Sequence, residues 1–250
     1  MTLNEFFTQY PKIALAFSGG VDSAYLLYVA KQCHTQVRAY FLKSAFQPKF
    51  ELNDAVRMAK ELDVPLRIVT IDVLSSDVVT DNPVDRCHYC KRLTFQAIRQ
   101  AASEDGFSIL IDGTNASDDP KNRSGMRAIS EFSVLSPLRE CGLTKADIRR
   151  LSKEAGLFTW DKPAYACLAT RVPFGEKITE EKLKITEAAE DFLFSLGLKN
   201  FRVRMFGGAA KIQVTYAQLE NIIENREIIL AELGKYYTDV TLDLKVRKKG

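Results

Sequence analysis

The sequence predicts an α/β fold, a doubly wound parallel sheet followed by a small C-terminal α+β domain. Three observations carry this. Apolar runs alternate with amphipathic stretches through the first two-thirds of the 250 residues, the pattern of parallel strands joined by crossover helices. One such run, residues 13–17, passes through a short glycine-containing turn directly into a helical stretch. After residue 175 the alternation gives way to a long helix, two strands flanking Gly207-Gly208, a broken helix and a last strand.

Residues 13–17, 37–42, 66–71 and 109–111 are rich in Ile, Leu, Val, Phe and Ala and read as strands. Helices are expected between them, over 22–32, 50–62 and 91–102. Ligands of such sheets bind beyond the carboxyl ends of the strands. The turn around Ser18, residues 43–45, Asp72 and Asp112-Gly113-Thr114-Asn115 therefore share one edge. Thr144-Lys145-Ala146-Asp147 is a capping box that starts a helix stopping near Gly156. A boundary near 175 divides the chain into domains 1–175 and 176–250. In the second domain a helix is expected over 179–196, strands over 201–206 and 211–215, a helix over 216–233 broken near Asn225, and a strand over 239–246. Arg247-Lys248-Lys249 reads as a solvated end.

The chain is 46% hydrophobic and 27% charged, as in an ordinary soluble enzyme, and its net charge of +3 is too small to announce a nucleic-acid partner. No run approaches the ~20 apolar residues of a membrane span. Met1-Thr2-Leu3-Asn4-Glu5 lacks the basic and then apolar pattern of an export signal, so a cytoplasmic location is expected. The five cysteines, Cys33, Cys87, Cys90, Cys141 and Cys167, are odd in number, which argues against a disulfide framework and for metal binding or catalysis.

Phe17-Ser18-Gly19-Gly20-Val21-Asp22-Ser23 is the most informative stretch. A strand, a tight turn and a helix start aim backbone N–H groups and the positive end of a helix dipole at one point, which suits a phosphate or pyrophosphate. Gly19 and Gly20 let the backbone approach the anion, and Ser18 and Ser23 can donate hydroxyl hydrogen bonds. Asp22 would repel a phosphate but suits a magnesium ion held beside it. The turn lacks the lysine and spacing of a Walker loop. It resembles the SGGxDS signature of the PP-loop ATP pyrophosphatases, whose fold is that of the adenine nucleotide alpha hydrolases. That superfamily cleaves ATP between its α and β phosphates and adenylates a substrate.

Cys87-His88-Tyr89-Cys90 can bind zinc, hold an iron–sulfur cluster or act as a dithiol. A structural zinc wants four ligands, and no second Cys-x-x-Cys pair exists. The remaining candidate is Cys167, in a segment bounded by Pro163 and Pro173. Three thiolates without a fourth suit a [4Fe–4S] cluster with one open iron. His88 is expected to face solvent between the two thiols, and Cys33 and Cys141 to pack as small apolar residues. Arg86 and Arg171 adjoin or closely follow cysteines; they either tune the thiolates or are surface charges.

Taken together, FSGGVDS at 17–23, NPVDRCHYCK at 82–91, DGTNASD at 112–118, CLATR at 167–171, FRVRMFGGAAKIQV at 201–214 and VTLDL at 240–244 resemble the LarE family of ATP-dependent sulfur transferases. The resemblance spans nearly the whole chain. It implies a role in making the nickel-pincer nucleotide cofactor of lactate racemase, by converting carboxylates of a pyridinium dicarboxylate mononucleotide to thiocarboxylates. Family members draw the sulfur from two sources. The cysteine matching Cys167 either surrenders its own sulfur, or joins a Cys-x-x-Cys pair on a [4Fe–4S] cluster that passes on a sulfide from a sulfur donor. Cys87 and Cys90 fit the cluster-bearing type, with Cys87, Cys90 and Cys167 as its ligands. The implied cofactors are thus ATP, Mg2+ and the cluster.

On this resemblance Ser18, Gly19, Gly20, Asp22, Ser23, Ser44 and Gly113 bind the nucleotide, with adenine contacts from backbone near 42–44. Asp118 or Asp119 is a candidate second magnesium ligand. Cys167, Asp22 and Arg171 carry the chemistry. Arg202 and Arg204 alternate along a strand and share one face. Alone that face reads as either solvent-exposed or a phosphate fork; the resemblance favours the fork, for the phosphate of the small-molecule substrate. Glu190 and Asp243 match acidic positions at the same site. A homo-oligomer is implied, and neither nucleic acid nor membrane is expected as a partner. A tRNA thiolase of the same superfamily is the rival reading, but no basic tract interleaved with aromatics supports it.

Overall fold

The computed structural model describes residues 1–118 and 125–247. Its described residues form two compact units, Met1–Val73 with Asp85–Lys162, and Leu74–Val84 with Pro163–Gly250. The chain changes unit at 162/163, whereas the sequence suggested a join near 175. Among the described residues no helix is long and apolar enough to cross a membrane.

The first unit contains α1 (Leu3–Gln9), β1 (Lys12–Ala16), α2 (Val21–Gln32), β2 (Gln36–Lys43), α3 (Lys49–Glu61) and β3 (Leu66–Thr70). After a short helix of the second unit, α4 (Asp77–Thr80), it continues with α5 (Arg86–Glu104), β4 (Leu110–Ile111), α6 (Gly125–Glu131), α7 (Pro137–Glu140) and α8 (Lys145–Glu154). The strands make a parallel sheet in the order β3-β2-β1-β4. Alternate residues serve opposite faces. Ile13, Leu15, Val37, Ala39 and Phe41 pack with Phe6 of α1, Leu26 and Leu27 of α2 and Ile148 of α8. Ala14, Tyr40 and Leu42 pack on the other side with Phe95 and Ile98 of α5 and Ile129 of α6. Two buried faces explain why the centre of β2, Ala39-Tyr40-Phe41-Leu42, is a continuous apolar run rather than an alternating one. The doubly wound α/β fold is as the sequence predicted. Because β2 and β4 flank β1 on opposite sides, the order reverses direction beside β1, where ligands of open α/β sheets bind.

Two elements differ from expectation. The sequence pattern alone predicts no helix at α1, yet Thr2 and Glu5 form a reciprocal cap: Glu5 N–H donates to Thr2 Oγ1 at 3.2 Å and Thr2 N–H to Glu5 Oε2 at 2.7 Å. Helix α5 starts at Arg86 rather than at 91, so Cys87 and Cys90 lie within its first turns rather than ahead of it. The predicted cap of α8 is present, with Thr144 and Asp147 bonded reciprocally.

The second unit adds α9 (Glu180–Ser195), β5 (Arg202–Phe206), β6 (Ala209–Gln213), α10 (Leu219–Glu224), α11 (Arg226–Leu233) and β7 (Val240–Leu242). Strand β6 pairs antiparallel with β5 through the Gly207-Gly208 turn and parallel with β7. Leu193 of α9, Val203, Ile212, Ile229 and Leu233 form its core. Helices α10 and α11 break at Asn225, whose Nδ2 donates to the Asn221 carbonyl at 2.8 Å. Segment 74–84 is tied into this unit by backbone bonds, Ile178 N–H to Thr80 O at 2.7 Å and Gly175 N–H to Asn82 O at 2.9 Å. Buried Asn82, at φ 55°, donates Nδ2 to the Pro173 carbonyl at 2.6 Å. Arg247 is not a solvated end: it pairs in a parallel bridge with Thr215, and its guanidinium donates to Asn200. Lys248 and Lys249 lie outside the described residues.

Candidate functional site

In the first unit the Ser18 turn joins the carboxyl end of β1 to α2, and its own groups organise it. Ser18 Oγ lies 3.1 Å from Ser23 Oγ and accepts from Gly20 N–H at 3.3 Å, while Ser23 Oγ donates to the Gly20 carbonyl at 3.2 Å. Gly20 caps α2 without a side-chain hydrogen bond, the helix end an anion would use. Gly19 has φ 70°, and a Cβ there would stand 3.1–3.2 Å from the backbone and side chain of Ala55 on α3. Only glycine fits this close approach. Gly113, in the loop after β4, abuts the first turn of α2: a Cβ on it would lie 3.0 Å from the Ser23 nitrogen.

Asp22 sits in the first turn of α2. Its Oδ2 accepts from Lys145 Nζ at 2.5 Å, while Oδ1 is buried and accepts no hydrogen bond. A carboxylate oxygen without a donor fits a hard cation such as Mg2+. Lys162 approaches the same turn from the chain beyond α8, donating to the Gly19 carbonyl at 3.2 Å and pairing with Asp54 at 2.6 Å. Neither lysine is singled out by the sequence motifs. Lys145 carried a signal, since a cation in the first turn of a helix opposes the dipole and needs a partner elsewhere; Lys162 carried none.

Ser44 and Asp112 shape neighbouring turns. Ser44 donates both its N–H, at 3.0 Å, and its hydroxyl, at 2.6 Å, to Gln47 Oε1. Asp112 accepts from Thr114 N–H at 3.1 Å, Thr114 Oγ1 at 2.7 Å and Ser136 Oγ at 2.8 Å. Asp118 Oδ2 accepts from Asn115 N–H at 3.1 Å; Asp119 lies outside the described residues.

Cys87 and Cys90 are half-buried on one side of α5, three residues apart and so neighbours on the helix surface. Arg86 is buried, its Nη2 3.9 Å from Cys87 Sγ. His88 does not face solvent. It is 2% exposed, on the face of α5 that carries Phe95, with Nε2 3.6 Å from Glu131 Oε1 of α6. Starting the helix at Arg86 puts residues 88 and 95 one heptad apart on the inner face. Cys33 and Cys141 pack against the main core as expected, and burial raises both thiol pKa values. None of the five cysteines is in a disulfide.

In the second unit Cys167 is half-buried and opens a short 3-10 turn over Leu168–Arg171. Its carbonyl accepts from Thr170 N–H at 3.0 Å, Thr170 Oγ1 at 2.9 Å and Arg171 Nη1 at 3.4 Å. Arg171 is no surface charge. It is buried and grips Glu190 of α9 bidentately, Nε to Oε1 at 2.7 Å and Nη2 to Oε2 at 3.1 Å, while Nη1 holds the Ala166 carbonyl at 3.0 Å. Glu190 also accepts from Val203 N–H at 2.9 Å and from the Tyr165 hydroxyl. Burial and the Glu190 charge raise the Tyr165 pKa, so it stays a donor.

Arg202 and Arg204 share one face of β5, as their alternation predicts. That face is not solvent. Buried Arg202 donates to the Phe201 carbonyl at 2.6 Å and to the Ala164 carbonyl, and stacks 4.8 Å from the Tyr165 ring centroid, which Arg171 also approaches at 4.7 Å. Arg204 donates to Gln213 Oε1 at 2.8 Å and to the Thr170 carbonyl. Asp243 accepts from Gln213 Nε2 at 2.7 Å, which places it behind Arg204 as the group that orients Gln213. That bond, then the Lys245 N–H, holds the Asp243 pKa below the usual range. Burial, then repulsion by Arg171 and Arg247, pushes the Arg202 pKa down to about 10 and lowers that of Arg204. The cluster holds more positive than negative charge, the electrostatic profile of an anion seat. Tyr165, Gln213 and Arg247 were not singled out in the sequence.

A cluster of iron and sulfur asks for soft thiolate donors, and Cys87 with Cys90 supplies two on one helical face. Among the described residues no group of three or more His, Cys, Asp or Glu side chains is assembled for a metal ion. Cys167 belongs to the other unit.

Residues 12–85 match the family of the queuosine biosynthesis protein QueC. A protein of Lactiplantibacillus plantarum named pyridinium-3,5-bisthiocarboxylic acid mononucleotide synthase is 32% identical over 93% of this chain and 86% of its own length. Uncharacterised proteins of Synechocystis, at 33% identity, and Methanocaldococcus jannaschii, at 30%, are similar over 99% and 94% of this chain and 94% and 90% of their own lengths.

Proposed function

The chain belongs to the LarE family of PP-loop, ATP-using sulfur transferases, and from that premise we propose that it adenylates a carboxylate of a pyridinium dicarboxylate mononucleotide and replaces the activated oxygen with sulfur anchored through Cys167. The observation that carries this reading is the pairing of two features in one chain: a glycine turn with an undonated Asp22 oxygen, and a cationic cluster built around the Cys167 segment.

A carboxylate resists nucleophiles because it is charged and has no leaving group. Transfer to the α-phosphate of ATP gives an acyl adenylate, with AMP as the leaving group and pyrophosphate released. Ser18, Gly19, Gly20 and Ser23 hold the departing pyrophosphate at the start of α2, beside Gly113, while the backbone near Ser44 meets the adenine. A magnesium ion on Asp22 would neutralise charge building on that leaving group. Lys162 braces the turn through the Gly19 carbonyl.

In the second unit Arg202 and Arg204 seat the phosphate of the substrate. Asp243 keeps Gln213, and through it Arg204, in place. Arg171 fixes the Cys167 backbone and is itself fixed by Glu190, so the thiol is presented from a rigid turn. The sulfur comes either from Cys167 itself or from a sulfide on a [4Fe–4S] cluster held by Cys87, Cys90 and Cys167, replenished by an external donor. The partner is a small nucleotide, in a homo-oligomeric, cytoplasmic enzyme of two domains.

Arg204→Ala tests the seat. Losing one charged hydrogen-bonding group should weaken the pyridinium mononucleotide by about tenfold to a hundredfold, with ATP affinity unchanged, as measured by titration calorimetry. Equal weakening of both ligands would reject the assignment.

A further inference from the structure

We infer that Lys145 is an exchangeable counterion: it neutralises Asp22 in the nucleotide-free protein and moves its charge onto the phosphates when magnesium and nucleotide bind. This rests on the ATP-binding reading above and adds to it a residue and an order of events. Lys145 Nζ lies 2.5 Å from Asp22 Oδ2, the carboxylate whose other oxygen is buried without a donor. An ammonium and a divalent cation therefore compete for one group. Lys145 is the first residue of α8, where the helix dipole repels a cation. The Asp22 carboxylate offsets that repulsion, and phosphates beside the turn offer a stronger partner.

The side chain is able to move. The Lys145 backbone is anchored separately, its N–H donating to Ser117 Oγ at 3.0 Å, and its side chain is 31% exposed. Lys162 is the contrasting case. It is held at once by Asp54, by the Gly19 carbonyl and over the Phe50 ring, with 15% of its side chain exposed. Lys162 shapes the turn and stays; Lys145 exchanges.

Exchange predicts effects of opposite sign on two ligands. In Lys145→Gln, Mg2+ alone should bind about tenfold more tightly, because no ammonium needs displacing. Mg-pyrophosphate should bind about tenfold to a hundredfold more weakly, because a charged contact is lost. Calorimetry on the full chain, with wild type and Lys162→Gln alongside, reads both. If Lys145→Gln leaves both affinities unchanged or weakens both, the exchange is wrong and the lysine is merely structural. Wild type that binds neither Mg-pyrophosphate nor Mg-ATP would instead reject the ATP-binding reading beneath it. Amine labelling of wild type, followed by mass spectrometry, needs no variant. Mg2+ alone should raise the Lys145 labelling rate by freeing it from Asp22, and Mg-pyrophosphate should lower it. A rate indifferent to both overturns the proposal.

Discussion

Cys167→Ala should lower sulfur transfer by at least about a thousandfold while pyrophosphate release from ATP persists. The two activities are expected to separate because the proposed mechanism assigns them to different groups. On the proposed mechanism activation uses the Ser18 turn and Asp22, and Cys167 acts only in the sulfur step that follows. The substitution also spares the local structure. Three hydrogen bonds hold the Cys167 segment through its carbonyl, from Thr170 N–H, Thr170 Oγ1 and Arg171, and alanine keeps that carbonyl. Parallel assays of released pyrophosphate and of thiocarboxylate product decide the matter. Sulfur transfer at the wild-type rate would remove Cys167 as donor and as ligand together.

Glu190→Gln should be the most destabilising single change in the second unit. Glu190 is 1% exposed and accepts four hydrogen bonds, two from Arg171, one from Val203 N–H and one from the Tyr165 hydroxyl. A glutamine of the same shape turns one acceptor into a donor facing other donors. It also removes the carboxylate that offsets Arg171, and with it the attraction that partly relieves Arg202, Arg204 and Arg247. Breaking a buried ion pair from one side costs about 3–5 kcal/mol, enough to lower the melting temperature by roughly 10 °C. Thermal melts measure it, and hydrogen exchange should rise across 163–171, where Arg171 holds the chain. An unchanged melting temperature would mean that the pair contributes little and that Cys167 is positioned by other contacts.

Much of the fold was legible because its elements obey local rules. The strands of the parallel sheet are apolar runs, the α8 cap is a Thr and an Asp at the required spacing, and the break at Asn225 interrupts a helical pattern. The Ser18 turn was legible for a stronger reason: a backbone at φ 70° pressed against α3 admits only glycine, so the geometry is written in residue type. Helix α1 has its signature too, in the spacing of Thr2 and Glu5, but at seven residues it is too short for a periodic pattern to stand out. His88 lies inward because 86–90 is the first turn of a helix rather than a loop, and helical spacing puts it on the face of Phe95.

The buried charges were not legible. Arg171 and Glu190 stand nineteen residues apart in the chain and meet only after folding, and charged residues default to the surface unless paired. Lys145 and Asp22, partly exposed and separated by 123 positions, likewise meet only after folding. Arg247 resembles the start of a basic tail because nothing local reveals that Thr215 and Asn200 hold it.

The most direct measurement is one turnover of anaerobically purified protein with Mg-ATP and the pyridinium dicarboxylate mononucleotide, followed by mass spectrometry of product and protein. AMP and a product with sulfur in place of one carboxylate oxygen should form in equal amounts. Cys167 should either lose the mass of hydrogen sulfide or stay intact in protein containing iron and acid-labile sulfide. Thiocarboxylate formed without AMP, or AMP formed with no sulfur in the product, would contradict this mechanism.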